Sequence, residues 1–173
     1  METTIQNATE PVLWLVLLSV AVIVNGLLAG ASLDQSIEQL PSRHRIGMLA
    51  YSAYSRASHA ANGRFWLIPL GLGGPVLTLA AAVWSLTFNL PAERSLPVFL
   101  AAGLGVAPVL STVKAASVNL TQWKKEVAAD EVALTAILQS FACWQAVRAS
   151  LQFLTFAITT WALAMNGAAA ALR

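Results

Sequence analysis

The sequence predicts an all-α, polytopic membrane protein: a four-helix bundle whose helices extend on the cytoplasmic side. Three observations carry that expectation. Four apolar stretches fall within 173 residues, and charged residues make up only 10% of the chain against 57% hydrophobic, whereas a soluble domain carries about 25% charged residues. The charges gather in the segments that join the first stretch to the second and the third to the fourth. Mean hydropathy is +0.67.

The stretches cover residues 11–32, 65–88, 96–117 and 146–172, each long enough at about 1.5 Å per residue to cross a hydrocarbon core of roughly 30 Å. Together they make 1–173 a single integral membrane domain. The first lacks a signal peptide's basic leader, since Met1 to Glu10 has Glu2 and Glu10 but no Lys or Arg, so it reads as a retained helix. Next comes the first long connection, with Arg43, Arg45, Arg56 and Arg64. Leu40-Pro41-Ser42 reads there as a helix stop followed by an N-cap. Residues 43–62 then read as one helix running into the second span, with Ile46, Leu49, Ala50, Tyr54 and Ala57 near helical spacing. The short turn 89–95 carries Arg94, whereas the third connection carries Lys124 and Lys125 and is expected to turn near Val127 to Asp130. The positive-inside rule places both long connections in the cytoplasm and both termini outside.

Glycine and proline cluster in the second and third spans, at Gly71, Gly73, Gly74 and Pro75 and at Gly103, Gly105 and Pro108. Small residues let membrane helices approach closely, and packing is the ordinary reading. Polar residues converge at one depth: Asp34, His59, Asn62, Arg64, Lys114, Asn119, Trp144, Arg148 and Gln152, with Asn25 roughly 10 Å deeper. Ionisable groups at that depth are functional candidates where they face the bundle, and snorkelling cations where they do not. Trp144, Arg148 and Gln152 recur at four-residue intervals, continued by Thr155 and Thr159, and Ser55, His59, Asn62 and Trp66 form a comparable row. Two such rows facing each other would make a pocket.

Metal chemistry has little support. His44 and His59 would stand about 22 Å apart on a continuous helix, no Glu-x-x-His or His-x-x-x-His pair exists, and Glu126, Asp130 and Glu131 fit a polar turn and a helix start. Cys143, the only cysteine, precludes an internal disulfide. No cofactor is expected, although a single axial haem ligand through His59 is compatible with the sequence. No phosphate loop, nucleophile elbow or nucleic-acid module is present. The expected partners are the lipid bilayer and a hydrophobic small molecule, and a homo-oligomer is compatible with the pattern.

The run Phe141-Ala142-Cys143-Trp144-Gln145-Ala146-Val147-Arg148, continuing to Ala157, resembles the last helix of the anthrone-oxygenase-like membrane proteins, in which a Trp and an Arg precede an apolar span. Asn119 resembles that family's asparagine after the third helix, although Leu120-Thr121-Gln122-Trp123 stands where the family continues with proline and asparagine. The resemblance implies a four-helix membrane fold and a cofactor-independent oxygenase acting on a flat hydrophobic aromatic or quinone-like substrate at the cytoplasmic face. Such chemistry needs a base, an oxyanion partner and a greasy slot. His59 and Arg148 are the catalytic candidates. Asn25, Asn62, Trp66, Asn119, Trp144 and Gln152 are the substrate-binding candidates, with the two tryptophans as slot walls. The competing classes are a non-enzymatic accessory or small-molecule carrier and a haem-binding membrane enzyme.

Overall fold

A computed structural model describes the backbone of residues 2–60 and 64–171, and the side chains of 12–60, 65, 66 and 68–169. Among these residues every regular element is helical. Four are long: α1 (Glu2–Asp34), α4 (Arg64–Thr87), α5 (Ala92–Thr121) and α7 (Glu131–Ala171). Short helices fill the connections, α2 (Leu40–Ile46) and α3 (Met48–Ser58) in the first and α6 (Lys125–Ala128) in the third. The long helices pack side by side, α5 against α7, α7 against α1, and α4 against both α1 and α5.

Among the described residues three segments are long and apolar enough to cross a membrane: Val12–Ile46, Ile68–Thr87 and Ala92–Thr121. Their outer faces carry unpaired aliphatic surface, such as Val16, Ile23 and Leu27 on α1 and Val76, Val83 and Leu86 on α4. In water that surface would be costly; in lipid it is not. These features make the chain an integral membrane protein in class. The stretch 146–172 falls on α7, which is not among the three. Among its described residues α7 carries Gln145, Gln152, Thr155, Thr159 and Asn166, all buried. It is the helix that turns the most polar side chains inward.

Two apolar clusters bracket the long axis. Trp14, Leu18, Ala81, Val98, Ala102 and Ala162 form one, near the α4–α5 turn. Leu40, Tyr51, Ala115, Leu138 and Phe141 form the other, under α2 and α3. The buried polar residues Asn25, Ser32, Gln145 and Gln152 lie between them.

The connections depart from the sequence expectation in two places. Leu40-Pro41-Ser42 is not a stop. Helical backbone continues from α1 through a π-turn at Gln35–Gln39 into α2. Pro41 has no N–H to donate to the preceding turn, and the π-turn immediately before it is where the continuing helix accommodates that lost bond. Ser42 is no N-cap either, since its hydroxyl donates to the Gln39 carbonyl at 2.6 Å. Residues 43–62 are not one helix, because Gly47 breaks it with φ of 88°, a backbone conformation open to glycine. His44 and His59 therefore do not share a continuous helix.

The turn near Val127 to Asp130 is present as α6 and the start of α7. Asp130 Oδ1 accepts from the backbone N–H groups of Val132 at 2.9 Å and Ala133 at 3.1 Å, an N-cap that fixes where α7 begins. At the other end α4 closes in a Schellman turn. Leu90 N–H donates to Ser85 O and Asn89 N–H to Leu86 O, with Asn89 in the left-handed region at φ 47°. Pro91 then starts α5.

The glycine-rich spans divide by role. A Cβ on Gly74 would stand 2.5 Å from Asn25 Oδ1, and one on Gly105 3.2 Å from Thr78 Oγ1, so both mark close helix contacts. A Cβ on Gly71 or Gly103 would meet nothing within 4 Å.

Candidate functional site

Between the two apolar clusters the four long helices leave a cavity of about 360 Å³. Its walls are aliphatic: Leu28 of α1, Ile68 and Leu72 of α4, and Val109 and Val113 of α5. Its polar lining includes His59, Arg148 and Gln152, with Ser32 and Thr112. Residues distant in sequence, from the end of α3 and from two successive turns of α7, therefore meet in one space. Gly71 adds an open stretch of backbone to the wall. Pro75, which has no N–H, leaves the Gly71 carbonyl without a helical donor four residues on.

Each polar group has a defined state. His59 Nδ1 lies 2.9 Å from the Ser55 carbonyl oxygen. A carbonyl only accepts, so Nδ1 carries the hydrogen and, in the neutral ring, Nε2 carries the free lone pair. Arg148 Nη2 donates to Gln35 Oε1 at 2.8 Å, while its Nε is buried and has no partner. The π-turn that begins at Gln35 presents this acceptor to α7. Gln152 is 5% exposed, and its Oε1 is buried without a partner. Gln145, directly below, donates Nε2 to the Ser32 carbonyl at 3.1 Å.

A narrow void of about 10 Å³ continues inward, lined by Asn25, Pro75, Gly105, Gln152 and Thr155 among others. Asn25 therefore lies behind the main cavity. Its Nδ2 donates to the Ala21 carbonyl at 2.9 Å.

Other expected site residues lie elsewhere. Trp66 is 69% exposed and Trp144 38% exposed, and neither lines the cavity, whose walls are aliphatic instead. For Trp144 the physical reason is helical drift. A four-residue step advances about 40° beyond a full turn, so Trp144 is rotated roughly 80° from Gln152. Asn119 is buried away from the cavity, where its Oδ1 accepts from Gln122 Nε2. Gln122 Oε1 accepts from Ser52 Oγ at 2.8 Å, and Arg56 Nη1 donates to both Ser52 Oγ at 2.8 Å and the Gln122 carbonyl at 3.2 Å. This buried clamp ties α3, and hence His59, to the end of α5. Lys114 and Asp34 face outward. Asn62 and the Arg64 side chain lie outside the described residues.

Sequence reasoning passed over two groups of residues. Gln35 and Ser32, which accept from Arg148 and Gln145, gave no signal, because the π-turn that aligns them has no sequence signature. Asn166 is the second. Its Oδ1 accepts from Trp14 Nε1 at 3.0 Å and Arg94 Nε at 2.9 Å, and its Nδ2 donates to the carbonyls of Arg94 and Ala162. A lone asparagine in an apolar helix was the available hint. Among the described residues no group of three or more His, Cys, Asp or Glu is placed to hold a metal.

The geometry defines a helical membrane protein with an apolar cavity lined in part by an imidazole, a guanidinium and an amide. No protein-family model, curated protein or solved structure matches the chain.

Proposed function

We propose that this chain is a four-span membrane protein that binds a flat hydrophobic aromatic or quinone-like molecule in the cavity and oxidises it in the manner of an anthrone oxygenase. One observation carries the reading: His59, Arg148 and Gln152 share an apolar cavity, with the basic nitrogen of His59 fixed as Nε2 by the Ser55 carbonyl. About 360 Å³ is at the compact end of ligand pockets, which run from roughly 300 to 1,000 Å³.

The chemistry is a proton removal followed by reaction with dioxygen. Nε2 takes the proton from the acidic C–H flanked by aromatic rings, and the electron pair passes into the ring system as an enolate. Arg148 stabilises the oxyanion. Dioxygen adds at the carbon, and the resulting hydroperoxide loses water. One oxygen atom ends as the new carbonyl and the other as water, so the substrate is oxidised by two electrons twice over and dioxygen takes up all four. No cofactor enters this scheme.

The orientation belongs to the same proposal. Arg43, Arg45, Arg56, Lys124 and Lys125 lie on or beside α2, α3 and α6, which supports a cytoplasmic position for that end of the bundle and an external one for both termini. At about 60 Å, α7 is longer than a bilayer core is thick, which supports a cytoplasmic extension of its first turns.

The test is incubation of purified protein with anthrones under oxygen, following quinone absorbance. Catalysed quinone formation is expected, with no Soret band in the resting protein. Tight binding without turnover would leave a carrier, and a Soret band would make His59 an axial ligand instead of a base.

A further inference from the structure

Arg148 is a cation set into an apolar cavity without a counter-charge. Its one polar contact is the neutral amide of Gln35, its Nε is buried and unpaired, and among the described residues no carboxylate lines the cavity. Among the described residues the titratable liners are His59 and Arg148, and neither can contribute negative charge. A guanidinium in low-dielectric surroundings is costly unless an anion and hydrogen-bond acceptors compensate it. Gln152, on the next turn of the same helix, lines the same cavity, and its Oε1 is likewise buried and unpaired. A guanidinium and an amide thus line one space whose other walls are mostly aliphatic.

We infer that the cavity holds its ligand most tightly as a monoanion: an aromatic oxyanion that accepts from the Arg148 guanidinium, with Gln152 beside it on the cavity wall. Arg148 thereby favours the ionised form of the bound molecule over the neutral one, so that the anion left when His59 removes a proton is the form the site holds best. The inference rests on the cavity being the ligand site of the reading above and extends that reading to the charge of the ligand. It does not require turnover. Binding the oxyanion tightens the site because it removes the guanidinium's desolvation penalty, whereas a neutral isostere leaves that penalty in place.

The probe is 2-naphthol, which has no oxidisable acidic C–H, with 2-methoxynaphthalene as the neutral isostere. Naphtholate absorbance is titrated with full-length protein in detergent and in empty micelles. Naphthol bound to protein is expected to ionise about one pH unit or more below naphthol in micelles alone, corresponding to at least tenfold tighter binding of the anion, and 2-methoxynaphthalene should compete at least tenfold more weakly. Arg148→Lys should keep part of the shift, and Arg148→Gln should abolish it while Gln152→Leu reduces affinity without removing it. Naphthol that titrates as in empty micelles, or binds no better than its methyl ether, overturns the inference, and this wild-type measurement stands even if an Arg148 variant fails to fold. A shifted naphthol together with anthrones that are never oxidised would sink the oxygenase and keep the anion site. Quinone formation without a naphthol shift would do the reverse.

Discussion

At His59 the decisive atom is Nε2, because the Ser55 carbonyl occupies Nδ1. His59→Ala should therefore lower turnover by about 10²-fold or more, the usual contribution of a general base, while leaving ligand affinity within a few-fold. Steady-state kinetics and ligand binding on both proteins check each point. The glycines offer a paired test of packing. Gly74→Ala drives a Cβ against Asn25 Oδ1 and should cost about 1–3 kcal/mol through overpacking. Gly103→Ala meets nothing and should be neutral or stabilising by up to ~1 kcal/mol. Unfolding of both variants in detergent measures the contrast, and equal losses would mean that the α1–α4 contact is not as close as described.

At the scale of the element, α3 is the part whose placement the site depends on. It ends at His59 and is held by the Ser52–Gln122–Asn119 clamp and by Tyr51 in the lower apolar cluster. Gln122→Ala strips a partner from Ser52 and another from Asn119, both buried. It should cost about 1–3 kcal/mol, raise hydrogen exchange across Met48–Ser58 and slow turnover, since His59 would no longer be held. Turnover that persists while α3 exchanges freely would separate α3 from the site. Burial pushes the Tyr51 phenol up, with Tyr54 adding to the rise and Arg43 opposing it. A phenol whose folded pKa is raised holds its proton more tightly when folded, so its contribution to stability is intact below about pH 10 and is lost as pH climbs through the raised value. Tyr51→Phe should abolish that alkaline loss, which melting curves at neutral and alkaline pH would register.

For the whole molecule, the testable quantity is orientation. If the ends bearing α2, α3 and α6 are cytoplasmic, single cysteines at 45 and 125 in a Cys143→Ser background should be shielded from an impermeant thiol reagent in intact cells and react after permeabilisation. Labelling from outside at either position would invert the bundle. The two ends also differ in how they are joined. Asn166 links α1, α5 and α7 with all four of its hydrogen bonds made, whereas the cavity level leaves Gln145 Oε1, Arg148 Nε and Gln152 Oε1 unpaired. A satisfied network rigidifies, and an unsatisfied one waits for a partner. That contrast is consistent with the proposed ligand site, which lies between the two apolar clusters.

What the sequence by itself determined were the features written in composition and local order. Long apolar stretches make helices because lipid tolerates no unpaired backbone, the basic residues sort to the long connections, and Asp130 could be read as the polar start of α7. The presence of His59, Arg148 and Gln152 at a shared depth was legible from spacing. Which of the polar row turned inward was not. Trp144 shares a row with Arg148 and Gln152 yet faces out, because four-residue steps drift around a helix and only the neighbouring helices fix the zero of angle, and Trp66, placed in a row with His59, falls on the separate helix α4 and faces out too. Asn119 looked equivalent to Asn25 in sequence, but packing of α3 against the end of α5 gave it to Gln122. The π-turn and Gly47 break, which bring Gln35 to Arg148 and free α3 to fold back, depend on long-range contacts that no local pattern encodes. Tertiary structure decided the site, since a cavity is a property of the gaps between helices and not of any one of them.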